Sequence, residues 1–374
     1  MRALAWKNLI HDRVRLAVTL TGIVFALVLI VVQFGLFLGF LETSANIVDH
    51  SGADLWIAAP AIPHVNGGAA IPERRRYAAL SVPGVASAVR HAILFSTWKL
   101  PSGAQESAQI VGFDVESGIG GPWDVVAGSA QDLRGEDTVM IDDLYARKLG
   151  VTALGQIVEI NGRRARVVGF THGIRSFTTA PYVFTSFKNA QNYIRLEENQ
   201  TIYLLIRTAP GASIAQVKAE LAARVPGVDI YTNQEMLKKT RSYWVFSTGA
   251  GVTTLMGAIL GLMVGAVVVA QTIYAATVDH IREFGTLKAM GAANRVIYRV
   301  IIEQALINAA MGYTVAIILS YLVVHAAEGG DAVILLPAQM ALGTLGLAIF
   351  MCIAASFIAI RKATSIEPAL VFKA

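Results

Sequence analysis

The chain has 374 residues, of which 55% are hydrophobic and only 15% charged, and its formal net charge is +5. A soluble globular protein carries about a quarter of charged residues, so the composition excludes a wholly soluble chain and predicts segments in lipid. The single cysteine, Cys352, excludes a disulfide framework and a thiolate metal site.

Four windows of the sequence contain no Asp, Glu, Lys or Arg. A helix that crosses a hydrocarbon core of about 30 Å needs about 20 apolar residues, and each window is long enough. The four membrane spans that we predict around them are 16–41, 244–278, 301–325 and 332–360. Basic residues precede the first span, as in a secretory signal, but its uncharged run of 26 residues exceeds the roughly 7–15 of a signal segment. We therefore predict an uncleaved span.

Lysine and arginine are placed unevenly around these spans. They precede the first span, fill the loop between the second and third, and follow the fourth, whereas the turn between the third and fourth carries Glu328 and Asp331 and no basic residue. Because basic residues mark the cytoplasmic side, we predict cytoplasmic termini and a periplasmic segment at 42–243. The net charge then belongs to the inner membrane face and not to a nucleic-acid-binding surface. The residues that set this orientation are Arg2, Lys7, Arg13, Arg15, Arg282, Lys288, Arg295, Arg299, Arg361, Lys362 and Lys373.

The segment 42–243 has the pattern of an α+β domain. Runs rich in Val, Ile and aromatic residues, bounded by Gly, Pro, Asn or Asp, predict short strands, and Asn161-Gly162 predicts a two-residue hairpin. The predicted strands are 54–58, 109–111, 138–141, 157–160, 166–170, 182–185, 202–207 and 228–231.

A weak internal repeat organises this domain. The strand 54–58 and a helical stretch lead to Val82-Pro83-Gly84-Val85, and the strand 202–207 and a helix at 213–224 lead to Val225-Pro226-Gly227-Val228. Two strand–helix–strand units predict a ferredoxin-like α+β layer. Its halves are expected at about 42–94 and 183–243, with a β-rich lobe inserted at about 95–182. The alternative is that Pro-Gly turns recur by chance.

No catalytic constellation is evident in this domain, and we expect no catalytic, cofactor-binding or metal-binding residues. The histidines lack the spacing of a metal site; they are His50, His64, His91 and His172. The adjacent pairs Asp142-Asp143 and Glu197-Glu198 are expected to point in different directions, on a solvated face. The basic run Arg74-Arg75-Arg76 is compatible with solvation of a helix start, or with contact to an acidic partner or lipid headgroups.

The spans carry no charged residue near their middle. Proton-coupled transporters need intramembrane charges as relays, so we exclude that class. The polar residues Gln33, Gln271, Asn308 and Ser320 are expected to make interhelical hydrogen bonds. The second span has 35 uncharged residues, which make about 52 Å of helix against about 30 Å of hydrocarbon. Its surplus is predicted to form a stalk to the outer domain.

Glycines recur at close-packing spacing in two spans. They are Gly35 and Gly39 in the first span, and Gly257, Gly261 and Gly265 in the second. Glycine at every fourth position lets helix backbones approach closely. We predict a seam between two subunits, with packing inside one subunit as the alternative.

The loop after the second span, 279–300, carries the most specific motif. Its segment 279–290 fits a short amphipathic helix that Gly291 ends, and a basic helix on the membrane surface is the alternative. Residues 282–292 read Arg-Glu-Phe-Gly-Thr-Leu-Lys-Ala-Met-Gly-Ala. This motif resembles the loop between the second and third spans of FtsX/MacB-type ABC transporter permeases, which have the type VII ABC exporter fold. Its Leu-Lys-Ala-Met-Gly sequence is most similar to that of the DevC-like branch.

The resemblance extends over nearly the whole chain. A basic amphipathic start at 1–15, expected to be a cytoplasmic helix, is followed by one span, an outer domain and three further spans. The cytoplasmic tail 361–374 contains Arg-Lys-Ala-Thr-Ser-Ile-Glu-Pro-Ala-Leu-Val-Phe, which is similar to the closing motif of the family. The implied fold is therefore a four-helix membrane protein with an inserted periplasmic α+β domain, made of a ferredoxin-like layer and a β-rich lobe.

The resemblance also implies partners. Such permeases are dimers, here expected to be a homodimer, and each copy binds an ABC ATPase subunit through a coupling helix. A periplasmic adaptor and an outer-membrane channel are implied as well. Because the chain has no Gly-x-x-x-x-Gly-Lys-Ser/Thr loop, ATP and Mg are expected on the separate ATPase, and the chain is expected not to be an enzyme. The implied coupling residues are His280, Arg282, Glu283, Phe284, Gly285, Leu287, Lys288, Met290 and Gly291.

The implied function is ATP-driven export by mechanotransmission, in which the stalk carries closure of the inner face to the periplasmic domain. The expected cargo is a lipid, a glycolipid or another amphiphile. The alternative is an FtsX-like signalling permease that activates a periplasmic cell-wall hydrolase without transport. A membrane-anchored sensor would need a cytoplasmic output domain, which the sequence does not offer.

Overall fold

The computed structural model describes residues 13–279, 293–327 and 333–364, together with Thr286, Lys288, Met290 and Gly330. The chain divides into two compact units: a helical unit, Met1–Gly39 with Val252–Ala374, and an α/β unit, Phe40–Gly251. The helix expected at 1–15 lies almost wholly outside the described residues, as does most of the tail.

Nine helices are described, four of which are long and apolar. They are α1 (Arg13–Thr43), α2 (Asn46–Asp49), α3 (Arg75–Leu80), α4 (Phe187–Ile194), α5 (Ile214–Arg224), α6 (Asn233–Ser242), α7 (Ala250–Asp279), α8 (Asn294–Ala327) and α9 (Ala338–Thr364). The helices α1, α7, α8 and α9 contain stretches of 20 to 34 residues that are apolar enough to cross a membrane. This confirms the predicted number of spans.

The core of the helical unit consists of small and aliphatic side chains. Ile23 and Leu27 of α1, Ala309 of α8 and Cys352 of α9 are all completely buried there. In lipid, helices associate through van der Waals packing because no hydrophobic force acts between them. Small residues at these contacts let the helices come close enough for that packing.

The fourth span begins later than predicted. Residues 333–337 have no regular secondary structure, and α9 starts only after Pro337. Proline disfavours a helical conformation in the residue before it and is tolerated in the first turn of a helix. The prediction of helix from 332 was therefore wrong for the first residues of that window.

The second span is not one continuous helix over 244–278. A π-helical turn covers Tyr243–Ser247, and Gly249 has a φ of 77°. This is a left-handed conformation that an α-helix does not pass through. The span is α7 alone, with 30 residues or about 45 Å of helix, so a single uninterrupted stalk helix was a wrong prediction.

Ten strands of the α/β unit form one mixed sheet. With the two strands of a separate pair, the unit has these described strands: β1 (Leu55–Ala58), β2 (Ile71–Pro72), β3 (Val85–Lys99), β4 (Gln105–Phe113), β5 (Val125–Ala127), β6 (Thr138–Asp142), β7 (Ile157–Ile160), β8 (Arg163–Thr171), β9 (Tyr182–Ser186), β10 (Gln200–Thr201), β11 (Tyr203–Thr208) and β12 (Asp229–Thr232). The sheet order is β12-β1-β11-β3-β4-β9-β6-β8-β5, with β7 pairing with β3 and β8, and β2 and β10 form a separate pair. Each predicted run coincides with one of these strands, whereas the full length of β3 and the strand β5 were not predicted.

Four strands form the ferredoxin-like layer. The units β1-α3-β3 and β11-α5-β12 interleave as β12-β1-β11-β3, and all neighbours are antiparallel. The turn before each returning strand contains a glycine with positive φ, 86° at Gly84 and 75° at Gly227. The repeat is therefore structural and not a chance recurrence of Pro-Gly turns.

The strand β3 joins this layer to the inserted lobe, whose strands are β4 to β9. The first half of β3 pairs with β11, and its second half, from Ala92 to Lys99, pairs with β4. A second core cluster, around Trp98 of β3, Ile141 of β6 and Tyr193 of α4, packs the lobe against the end of β3 and against α4. The predicted hairpin is confirmed, because β7 and β8 pair directly around Asn161 and Gly162, whose φ angles of 49° and 78° are those of a type I′ turn.

Candidate functional site

Most of the predicted coupling helix lies outside the described residues. These positions are His280, Arg282, Glu283, Phe284, Gly285, Leu287 and Gly291. Among the described positions, Thr286 and Lys288 are helical, and the backbone N of Met290 donates to the carbonyl O of Thr286 at 3.0 Å. This bond closes one α-helical turn. The side chain of Met290 is 72% exposed, so this turn ends in an uncovered apolar group.

The helix after this loop begins with a charged stretch. Arg295 and Arg299 are exposed at the start of α8, and Arg299 Nε lies 3.0 Å from Glu303 Oε1, one helical turn on. The 34 residues of α8 make about 51 Å of helix, more than the hydrocarbon core needs. The charged first turns account for the surplus.

The glycines of α7 pack against α1 of the same chain. A Cβ atom at Gly265 would lie 3.0 Å from Cδ1 of Ile30, and one at Gly257 would lie 3.1 Å from Oε1 of Gln33. Gly261, between them, faces the same part of α1. Contact inside one chain, the alternative that the sequence left open, therefore accounts for this spacing without a second subunit.

Gly35 and Gly39 face the non-helical segment 333–337, and not another helix. The backbone N of Leu335 donates to the carbonyl O of Gly35 at 3.1 Å. A Cβ atom at Gly35 would lie 2.7 Å from the Leu335 carbonyl O, and one at Gly39 would overlap the carbonyl of Val333. Irregular backbone at membrane depth is tolerated where protein covers its polar groups, and these glycines let α1 cover this segment.

The polar side chains of the spans do not all pair as predicted. Asn308 and Ser320 are buried, whereas Gln271 is exposed. Within the described part of the chain, Oδ1 of Asn308 and Oγ of Ser320 have no hydrogen-bond partner, so interhelical bonds from these two atoms were wrong predictions. Nearby hydroxyl groups, such as that of Ser356, bond to the carbonyl four residues back in their own helix.

The histidines of the α/β unit stand apart from one another. His50 stacks on Trp123 with 4.3 Å between ring centroids, and His64 lies 4.3 Å from the ring of Tyr243. Over residues 13–279, 293–327 and 333–364, no group of three or more His, Cys, Asp or Glu could hold a metal ion. These rings pack against aromatic neighbours.

His91 is completely buried, edge-on to Trp56 at 5.8 Å between centroids. Neither ring nitrogen has a hydrogen-bond partner among the described residues. Burial lowers the pKa of His91 to about 3 because the charged imidazolium loses its hydration. His91 is therefore a neutral core residue at physiological pH.

The adjacent carboxylates Asp142 and Asp143 point in different directions, as predicted, but only Asp143 is solvated. Asp142 is 1% exposed and accepts hydrogen bonds from the N of Ile174 at 2.7 Å and from Oγ1 of Thr171 at 2.9 Å. Burial raises the pKa of Asp142. Asp143 contacts Nδ1 of His172 at 2.9 Å, and the hydrogen bond to Asp143 raises the pKa of His172. The second pair, Glu197 and Glu198, is exposed.

Two arginines connect the repeated halves reciprocally. Arg75 Nη1 donates to the carbonyl O of Gly227 at 2.9 Å, and Arg224 Nη1 donates to the carbonyl O of Ser81 at 3.1 Å. Each arginine thus reaches from the helix of one half to the turn of the other. Arg75 is therefore more than a solvated residue at a helix start, because it also bonds to the other half of the repeat. The repeat itself was the signal from which this reciprocity could have been inferred.

Gln109 is the centre of a buried polar network that the sequence did not reveal. It is 1% exposed, and its Nε2 donates to Oγ of Ser176 at 2.8 Å and to Oγ1 of Thr178 at 3.0 Å. Its Oε1 accepts a hydrogen bond from Nδ2 of Asn66. A glutamine within a predicted strand gives no indication of these partners, because they come from distant loops.

Comparison with known protein families covers nearly the whole chain. The model of the MacB-like periplasmic core domain matches residues 16–224, more than half of the chain. The model of the FtsX-like permease C-terminal domain matches residues 241–368. Comparison with curated proteins gives no match.

Two solved structures are similar to about half of the chain. The extracellular domain of the noncanonic ABC-type transporter YknZ from Gram-positive bacteria is 17% identical with a TM-score of 0.38, over 48% of this chain and 100% of that one. The periplasmic region of MacB from Actinobacillus actinomycetemcomitans is 10% identical with a TM-score of 0.39, over 52% of this chain and 96% of that one.

Proposed function

Because the chain belongs to the FtsX/MacB-type ABC permeases, we propose that it is the membrane subunit of an ATP-driven exporter that works by mechanotransmission. It is an inner-membrane protein with a periplasmic domain, and its family implies an ABC ATPase partner and dimerisation. The observation that carries the proposal is the joint match of a MacB-like periplasmic domain and an FtsX-like permease domain within one chain.

The helical unit supports a mechanical role over a transport path through the spans. Its interior is filled by apolar side chains such as Ile23 and Leu27, and its central polar residues are uncharged. A relay for ions or protons would need ionisable groups at this depth. In our proposal, ATP binding by the partner moves the spans, and the spans move the periplasmic domain.

The coupling site in our proposal is the segment 279–291. It follows α7 directly, and α7 is packed on α1 through Gly257, Gly261 and Gly265. A force applied to this segment would therefore act on two packed helices together. Both of these helices lead to the α/β unit, α1 at its C-terminal end and α7 at its N-terminal end.

The cargo and the remaining partners are proposed on the resemblance to the DevC-like branch. We propose a lipid, a glycolipid or another amphiphile, taken from the periplasm or the outer leaflet. A periplasmic adaptor and an outer-membrane channel would complete the path. Both termini would be cytoplasmic, as the placement of the basic residues predicts.

The test is the rate of ATP hydrolysis by the partner ATPase, reconstituted with this chain and the adaptor in lipid nanodiscs. Glu283→Ala and Gly291→Leu are expected to abolish the stimulation that the wild-type chain gives, and to stop export in cells. Glu198→Ala, in the exposed pair of the α/β unit, is the matched control and should stimulate normally. Unchanged stimulation and export in both coupling variants would remove the assignment of this segment.

The same preparation distinguishes export from signalling. The inserted lobe is large for a permease that only activates a cell-wall hydrolase. Export predicts that the α/β unit captures the adaptor. Capture of a cell-wall hydrolase, with no dependence of ATP hydrolysis on an adaptor, would favour the signalling alternative.

A further inference from the structure

The loop between β8 and β9, residues 172–181, contacts several separate parts of the α/β unit. We call it the strap. It is a short loop of the inserted lobe, and it contacts residues near the points where the chain enters and leaves the α/β unit. Its contacts fall into three groups.

The first group attaches the strap to the lobe. The backbone N of Ile174 donates to Oδ2 of Asp142 at 2.7 Å, and Nζ of Lys148 donates to the carbonyl O of Thr179 at 2.8 Å. Near the start of the strap, His172 pairs with Asp143. Asp142 is the last residue of β6, so these bonds connect the strap to the sheet of the lobe.

The second group attaches the strap to the chain segments next to the first two spans. The ring of Phe177 lies 4.3 Å from that of Trp244 and 5.4 Å from that of Phe40, in edge-to-face geometry. Nδ2 of Asn46 donates to the carbonyl O of Arg175 at 2.6 Å. Phe40 is in the last turns of α1, and Trp244 precedes α7 by six residues.

The third group makes the strap stiff. Gln109 of β4 is buried and holds Ser176, Thr178 and Ala180 through one amide nitrogen. The backbone N of Ser176 also donates to the hydroxyl of Tyr145 at 3.4 Å. Buried hydrogen bonds are costly to break because a freed polar group loses both its partner and water. The centre of the strap is therefore expected to move as one body with β4.

We propose that the strap is the mechanical link that transmits displacement of the C-terminal end of α1 and of the segment before α7 to the inserted lobe. The inference rests on the proposed mechanotransmission and adds its route within the periplasmic domain. Coupling between distant sites needs a continuous chain of packed or hydrogen-bonded groups. Phe177 supplies that continuity, since its ring touches both Phe40 and Trp244. The side chains of Ser176 and Thr178, on either side of it, accept hydrogen bonds from Gln109.

Spin labels on the lobe test this route in the assembled complex. The label is attached at Ala153→Cys, in an exposed turn of the lobe, in a Cys352→Ala background. Pulsed electron paramagnetic resonance then measures the distance between the labels on the two lobes of the dimer. With the wild-type strap, adding ATP and vanadate to the complex should shift this distance. In Phe177→Ala the shift should be lost, although the ATPase still binds and hydrolyses ATP. Phe95→Ala, a half-exposed phenylalanine of β3 outside the strap contacts, is the matched control and should keep the shift.

The possible results distinguish a failure of the strap proposal from a failure of mechanotransmission. A full shift in Phe177→Ala would overturn the strap proposal and leave mechanotransmission standing. Absence of any shift in the wild-type complex, with active ATP hydrolysis, would overturn mechanotransmission and the strap together. If Phe177→Ala does not fold, Phe177→Leu keeps the apolar volume but not the edge-to-face contacts, and it should reduce the shift by at least half. A wild-type shift in Phe177→Leu would then count against the strap.

Discussion

At the scale of single residues, large side chains of the α/β unit place their polar atoms on partners that are far away in the sequence. Nε1 of Trp56 donates to Oδ1 of Asn233 at 2.9 Å, and the hydroxyl of Tyr203 donates to the carbonyl O of Val65 at 2.7 Å. Such bonds let Trp and Tyr be fully buried without the penalty of an unpaired polar group. Among the described residues of this unit, Nε1 of Trp244 and both ring nitrogens of His91 are exceptions, because they are buried without a hydrogen-bond partner. The exception at His91 concerns a titratable group.

This exception predicts a pH dependence. The pKa of His91 is about 3 in the folded chain and about 6.5 when unfolded. Between these values the unfolded state binds more protons, so stability falls as the pH falls below 6.5, by about 1.4 kcal/mol per pH unit. His91→Leu should lose this part of the dependence. Chemical unfolding of both proteins between pH 7 and pH 5, followed by tryptophan fluorescence, measures the difference, and equal pH slopes would contradict it.

The sequence predicted the strands that carry these residues but not their contacts. The pattern of Val, Ile and aromatic residues placed β1 and β11 correctly, because an apolar run bounded by turn residues is a local signal. The bond from Trp56 to Asn233, or from Arg75 to Gly227, depends on how distant segments fold together. No local pattern contains that information.

Among the helices and strands, the sequence did not predict segments that change their pairing partner or their conformation along their length. The strand β3 has 15 residues and includes Arg90, His91 and Ser96, so it shows no uniform β pattern. It pairs with β11 first and with β4 afterwards. The break before α7 was missed for a related reason: absence of charge predicts insertion in lipid but does not predict the conformation of Gly249.

The packing of α7 on α1 predicts different effects of two similar substitutions. A side chain at Gly265 meets Ile30 and Ala26, whereas Gly346 of α9 has no atom within 4 Å of where a Cβ would lie. Gly265→Leu should therefore destabilise the protein by about 1–3 kcal/mol through overpacking. Gly346→Leu should have little effect.

Thermal unfolding of both variants in the same detergent measures this difference. The midpoint should drop for Gly265→Leu and stay close to wild type for Gly346→Leu. Equal midpoints for the two variants would mean that the glycines of α7 are not in a tight contact within the chain. Loss of dimers in Gly265→Leu at unchanged stability would instead support the seam between subunits.

For the whole molecule, we predict the membrane topology from the placement of charged residues. The four spans carry no charged residue near their middle, and the basic residues that flank them, such as Arg295 and Arg299 at the start of α8, predict which side is cytoplasmic. The family was recognisable because the motif at 282–292 is specific and contiguous in sequence. The cargo was not, because no side chain in the sequence shows which amphiphile is carried.

Reporter and labelling experiments check this topology. A green fluorescent protein fused after Ala374 should fluoresce, and alkaline phosphatase fused at the same position should be inactive, since both results require a cytoplasmic terminus. In a Cys352→Ala background, Ser102→Cys, in the exposed turn between β3 and β4, should react with a maleimide that cannot cross the inner membrane. An active phosphatase fusion together with an unreactive Ser102→Cys would reverse the orientation.

We propose that this chain is the non-catalytic membrane subunit of an ATP-driven exporter. The rate of ATP hydrolysis in lipid nanodiscs that contain the chain alone, the partner ATPase alone, or both tests this proposal. We expect no hydrolysis by the chain alone, a basal rate from the ATPase alone, and a rate several-fold higher when both are present. An unchanged rate on adding the chain, or hydrolysis by the chain without the ATPase, would contradict it.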